Sequence, residues 1–294
     1  MSSSIFGRRI VAAALLGVAV FIAAPAAMAG PNESGDRAFA DGDYAEALKF
    51  YRRAARQDNA WSQQNLGKMY EQGLGVKQDY VEAVKWYRLA AENGNDWAQN
   101  ALAVLYENGN GVEQSLDEAI KLYRQAADGG NAWASYHLGR LSEAGQGMPQ
   151  SFPDAVRYYA KSAEAGNDWA QYALANLYYD GKGTAQSFPD AFKWYGKAAY
   201  QGHAWAQFKV GLMYATGEGV GKDPKMAVTF YRKAAEQGNS WAQANLGDML
   251  ENGEGTDADE KEALRLFKLA AAQPDSPAWL EARIAELSQE LGQP

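Results

Sequence analysis

Tryptophan returns every 36 residues through most of this chain: Trp61, Trp97, Trp133, Trp169, Trp205 and Trp241 stand in step with no insertion between them. A constant period of that length, with a helical pattern inside each copy, confines the chain to stacked helix pairs in which each copy packs on its two neighbours. The stretch from Trp97 to Ala132, WAQNALAVLYENGNGVEQSLDEAIKLYRQAADGGNA, is one full copy. Function in such an array is expected on a surface repeated from unit to unit before it is expected in a single pocket.

Each unit reads as helix A, a glycine loop, helix B and a short turn. In the first full unit Ser62, Leu66, Met69 and Tyr70 fall at i, i+4, i+7 and i+8, one face of a helix. Gly67 and its counterparts Ala103, Gly139, Ala175, Gly211 and Gly247 are all small, which lets a second helix approach closely. Helix A is predicted to stop at Gly73, Gly109, Gly145, Gly181, Gly217 and Gly253, each followed two residues later by another glycine. A phosphate cradle is excluded, because no strand precedes these pairs and neither a third glycine nor a P-loop lysine follows. Helix B is predicted to begin at Asp79, Ser115, Ser151, Ser187, Asp223 and Asp259, good N-caps all. Three residues on, Glu82, Glu118, Asp154, Asp190 and Glu262 place an acid where the helix dipole favours one. Behind them Ala83, Val84, Trp86, Tyr87, Ala90 and Ala91 make helix B apolar over most of its circumference, so neighbouring units must cover it. About ten apolar side chains cannot offset the entropy of ordering a whole unit, so one unit alone is not expected to fold.

The ends are read differently. Arg8 and Arg9, the apolar run from Ile10 to Ala24 and the small-residue site Ala27-Met28-Ala29 form a signal peptide, expected to be cut between Ala29 and Gly30. The run is shorter than the ~20 residues a membrane span needs. A periplasmic or secreted protein without stable membrane insertion is therefore expected. Cleavage removes two of the 28 basic residues and none of the 36 acidic ones, so the net charge moves from −8 to −10. An acidic surface repels phosphate backbones and excludes nucleic acid as a partner. The chain has no cysteine, which excludes disulfides and makes a zinc site hard to build. The expected organisation is a signal peptide over 1–29, a tetratricopeptide-like capping unit over 30–60, six repeats over 61–276, and a capping helix and tail over 277–294. In that last segment Trp279 arrives two residues late, after Pro274 and Pro277.

With Leu66-Gly67, Tyr70, Gly73-x-Gly75, Ala83, Trp86-Tyr87 and Ala90-Ala91 at this period, the array resembles the Sel-1-like repeat family, relatives of tetratricopeptide repeats. The resemblance implies an all-α fold, a right-handed α-solenoid superhelix of antiparallel helix pairs. It also implies an adaptor or scaffold role in envelope, signalling or polysaccharide-secretion assemblies. Some cysteine-rich relatives are described as penicillin-binding, and the absence of cysteine here separates this chain from them.

On a helical wheel Trp61 falls nearly opposite Tyr70, with Gln64, Lys68 and Gln72 beside it. In tetratricopeptide arrays the equivalent positions line the concave groove, so the resemblance places a tryptophan ladder there. The middle units add Tyr136, Tyr172 and Phe208 where outer units carry Gln64, Asn100 and Ala244. The partner-binding candidates are therefore Trp97, Trp133, Tyr136, Arg140, Trp169, Tyr172, Asn176, Trp205 and Phe208. Two readings of the indoles stand at this point: an exposed docking strip, or inter-unit packing against the preceding helix B.

Catalytic chemistry is not expected. His137 and His203 lack the spacing of a metal pair and any Ser-His-Asp context, so no catalytic, cofactor or metal residue is assigned. Glu71, Glu107, Glu143 and Glu251 recur along the array and read as a solvated acidic edge. The sequence thus describes a scaffold for a protein or peptide partner with basic segments. The rival readings are a glycan-binding accessory factor in cell-wall or exopolysaccharide work and, more remotely, a hydrolase.

Overall fold

The computed structural model describes residues 30–274 and 276–292, so the expected signal peptide over 1–29 lies outside the described residues. Every regular element among the described residues is a helix. The first pair is α1 (Pro31–Ala40) with α2 (Tyr44–Ala55), and the next are α3 (Ala60–Gln72) with α4 (Tyr80–Glu92) and α5 (Asp96–Asn108) with α6 (Leu116–Asp128). The middle pairs are α7 (Ala132–Ala144) with α8 (Phe152–Glu164) and α9 (Asp168–Asp180) with α10 (Phe188–Tyr200). Then come α11 (Ala204–Thr216) with α12 (Pro224–Glu236), α13 (Ser240–Asn252) with α14 (Glu260–Ala271), and a closing α15 (Leu280–Glu290). Consecutive helices pack on one another from α1 to α15, and connections of a few residues make the partners antiparallel. The fold is an α-solenoid.

Local chemistry sets the boundaries. Asp79, Ser115, Ser151, Ser187, Asp223 and Asp259 each accept a bond from the backbone N–H three residues on and so start the B helices as expected. The A helices have a cap of their own: Asn59, Asn95, Asn131, Asn167 and Asn239 accept from the third following N–H, and His203 does the same through Nδ1 at 3.2 Å. At the other end of α5, Gly109 sits at φ +72, a left-handed cap whose N–H bonds the Leu105 carbonyl.

The second glycine of each loop joins neighbouring units. Gly111 has φ +70, and a Cβ there would lie 2.4 Å from the carbonyl of Tyr80, the first residue of helix B in the preceding unit. Gly75, Gly183, Gly219 and Gly255 meet Tyr44, Phe152, Phe188 and Pro224 in the same way. Positive φ and a bare backbone are therefore both required for one unit to seat on the last.

Within a pair, the small residue of helix A lies against an aromatic ring of helix B. A Cβ on Gly67 or Gly139 would come within 2.5 Å of Tyr87 or Tyr159, while Ala103 and Ala175 fill the same slot beside the fully buried Tyr123 and Tyr195. Buried glutamines lace the joints: Gln63, Gln171, Gln207 and Gln243 donate from Nε2 to the carbonyls of Ala55, Ala163, Ala199 and Ala235 at the end of the preceding helix B. Gln63, Gln171 and Gln207 also accept at Oε1, from Asn93, Gln201 and Gln237, so their burial costs little, whereas Gln243 Oε1 has no partner among the described residues.

Candidate partner-binding face

The tryptophans stand in the first turn of the A helices, two residues after the cap that starts each one. Trp61, Trp97, Trp133, Trp169, Trp205 and Trp241 are between 36% and 51% exposed, and Trp279 continues the series at 46%. Each indole thus has a covered part and a solvent-facing part. The cover differs along the array. Trp61 donates from Nε1 to Asp36 at 2.9 Å, whereas Trp169 meets the ring of His203 edge-on at 4.7 Å.

In two of the three middle units the second aromatic is a wedge beneath the indole. Tyr136 touches Trp133 edge-on at 5.9 Å and leans on Tyr159 at 5.9 Å. Phe208 links Trp205 at 6.1 Å to Tyr231 at 6.0 Å and is only 6% exposed. Tyr172 stacks on His203 at 4.8 Å and leans on Tyr195 at 5.7 Å. Tyr136 and Phe208 carry the indole of their own unit on the buried rings of helix B, whereas at Trp169 it is His203 that stands between the indole and Tyr172. Rigid aromatic columns of this kind offer large contact area at small entropic cost.

The polar candidates have internal partners. Arg140 pairs across units with Glu107, and Asn176 accepts the hydroxyl of Tyr195 at 2.5 Å. Arg140 therefore bridges a joint between units, and Asn176 ties α9 to α10 within one. Trp97 and Trp133 wall an open cleft of about 460 Å³ whose other lining side chains include Asp96, Asn131, Asn167 and Asp168. Two carboxylates and no basic side chain line it, so its field is negative.

The glutamates expected to form a solvated edge do something else. Glu71, Glu107 and Glu143 accept the hydroxyls of Tyr87, Tyr123 and Tyr159 at 2.6, 2.8 and 2.8 Å. Burial, with the neighbouring carboxylate, pushes those three phenols well above their ordinary range. Glu251 faces Phe267, which has no hydroxyl, and is met instead by Arg283 of α15. These acids are structural acceptors, a role visible only once helix B lies alongside helix A, 16 residues further on in the chain.

Both histidines are neutral and structural. Burial lowers the pKa of His137 to about 4, against a smaller upward pull from Glu107, and the ring stacks on Tyr123 at 4.8 Å. His203 is 7% exposed, and burial likewise lowers its pKa. Among the described residues no group of three or more His, Cys, Asp or Glu side chains is placed to hold a metal ion, and no helix is long and apolar enough to cross a membrane.

The profile of the Sel1 repeat matches residues 32–59, 62–95, 98–131, 134–167, 170–203, 206–239 and 242–275. The chain belongs to the Sel1 repeat family. The match makes seven repeats, the first of them the α1–α2 unit expected as a tetratricopeptide-like cap over 30–60. Among solved structures, the chain is similar to c5321, a protective antigen of uropathogenic Escherichia coli strains with the same repeat fold, at 36% identity and a TM-score of 0.76. That likeness covers 84% of this chain and 53% of the antigen, so the chain spans about half the antigen's length. A Sel1 repeat protein from Oxalobacter formigenes is 33% identical with a TM-score of 0.75, covering 81% of this chain and 98% of that one. No curated protein matches the chain. Sel1 repeat scaffolds generally serve as non-enzymatic modules that bind other proteins.

Proposed function

We propose that this Sel1 repeat protein is an exported, periplasmic adaptor that holds a partner protein or peptide along the face carrying the first-turn tryptophans. The observation that supports this most directly is the repeated half-exposure of those indoles on columns of buried rings. A row of rigid aromatic faces, one per unit, suits an extended segment that passes from unit to unit. Partners with basic segments fit best, because Asp96 and Asp168 line the cleft beside Trp97 and Trp133 without a compensating cation. No catalytic step is assigned, since the two histidines are packed into rings and the recurring carboxylates are spent on tyrosine hydroxyls.

The test is photo-crosslinking in cells from positions 133, 169 and 205, with the exposed lysine positions 85 and 121 on helix B as controls. A discrete protein captured from the tryptophan positions and not from the controls is the expected result. The same capture is expected to disappear in Trp133→Ala/Trp169→Ala while helical content is retained, because only the outer rings are removed. Equal capture from both sets of positions would refute the reading. Fractionation that leaves the protein in the cytoplasm would refute the export part alone.

A further inference from the structure

At the N-terminal end of the ladder a second open cleft, about 630 Å³, lies between the first unit and the next two. Its lining includes Asp36, Phe39, Trp61, Gln64, Lys68 and Trp97. That volume is the size of an ordinary small-molecule site. Its chemistry differs from that of the neighbouring cleft. One carboxylate and one ammonium replace two carboxylates, so the lining carries no net charge and favours a neutral ligand.

Three polar groups there are left with unused capacity. Asp36 receives both the Tyr51 hydroxyl at 2.7 Å and the Trp61 Nε1 at 2.9 Å on one oxygen, Oδ1, and Oδ2 has no donor among the described residues. Lys68 sits over the ring of Phe39 at 5.2 Å and forms no ion pair among the described residues. Gln64 is half-buried and its amide makes no hydrogen bond among the described residues. An acceptor, a charged donor and an amide that is both thus converge beside two half-exposed indoles, Trp61 and Trp97.

We propose that this cleft is a binding subsite for a neutral pyranose ring of an oligosaccharide. A pyranose has a flat face of C–H groups to lie on an indole and a rim of hydroxyls, each of which donates and accepts. The rim satisfies the Asp36 Oδ2, the Lys68 ammonium and the Gln64 amide together. A basic side chain would be repelled by Lys68, and an aliphatic one would strip water from all three groups without replacing it. The cleft shares Trp97 with the protein-docking face, but its polar groups Asp36, Gln64 and Lys68 lie outside the strip, so sugar binding and partner capture from positions 133, 169 and 205 can succeed or fail separately.

The purified protein is titrated with cellotetraose, maltotetraose and chitotetraose, and with tetraalanine as a peptide probe, by tryptophan fluorescence and calorimetry. Saturable binding of at least one tetrasaccharide is expected. Trp61→Ala and the double variant Gln64→Leu/Lys68→Met are each expected to weaken it about tenfold or more, while Lys121→Ala, on the exposed side of helix B, leaves it unchanged. The double variant alters only partly exposed side chains, so circular dichroism identical to the parent is expected and keeps the comparison valid. The proposal is overturned by no saturable binding of any of the three sugars, by undiminished binding in the double variant, or by tetraalanine competing for the cleft.

Discussion

Single positions carry two separable costs in this array, backbone conformation and the room a Cβ would need. Gly94 and Gly111 show both: each has positive φ, but a Cβ meets nothing within 4 Å at Gly94 and lies 2.4 Å from the Tyr80 carbonyl at Gly111. Gly94→Ala is expected to cost about 1 kcal/mol, and Gly111→Ala about 3 kcal/mol or more because the unit joint must also open. Urea unfolding of the two variants checks the ranking, and equal losses would remove the joint from the account. Protonation gives a second prediction. The pKa of His137 is about 4 in the folded protein and ordinary when unfolded, so below pH 6.5 the unfolded chain takes up a proton that the folded one refuses. Stability from this residue is therefore complete above pH 6.5 and is lost as the pH falls toward 4. The gap in unfolding free energy between the parent and His137→Ala is expected to narrow by about 2 kcal/mol from pH 7 to pH 4.5. A gap independent of pH would mean that His137 titrates normally where it stands. The left-handed caps and the N-caps of the B helices were legible in the sequence because each depends on residues three or four positions away. The acceptors Glu71, Glu107 and Glu143 were misread as solvated because their tyrosines lie a loop and a helix later.

At the scale of helices, one tyrosine–glutamate latch per pair clamps A to B in units two, three and four, and the last pair replaces it. Phe267 stands where Tyr87, Tyr123 and Tyr159 stand, and Glu251 turns to Arg283 of α15, which also reaches Glu286. The closing helix is thus tied to the array by the acid that the missing hydroxyl left free. Tyr123→Phe is expected to destabilise by about 1–2 kcal/mol, since Glu107 keeps Arg140 as a partner. Arg283→Ala is expected to cost about 2–3 kcal/mol, because Glu251, 13% exposed, is left without a partner. Hydrogen exchange would show the second loss confined to α14 and α15, and a loss spread evenly over the array would contradict it. Helix spans and their pairing could be read from the period-36 pattern, whereas the Arg283 tie could not. It joins residues 32 apart across the two prolines that break the register.

For the molecule as a whole, stability is held between neighbours, so length should be negotiable and register should not. Deleting residues 97–132 brings Trp133 to the place of Trp97. Arg140 then faces Glu71 in place of Glu107, and Gly147 faces Tyr80 in place of Leu116. Every joint is restored because the units repeat their contacts. The shortened protein is expected to keep the same helicity per residue and one cooperative transition, with Tm lower by less than about 10 °C. Deleting only residues 97–114 removes one helix A and sets two B helices side by side. The Tyr–Glu latch and the glycine seat of that unit then have no counterpart, and cooperative unfolding should be lost. The two deletions separate a quasi-one-dimensional array from a single domain with a repeated sequence. Equal damage from both would show that the units are not interchangeable, and the docking strip would then have to be understood as one site specific to the middle units instead of a ladder with one rung per repeat.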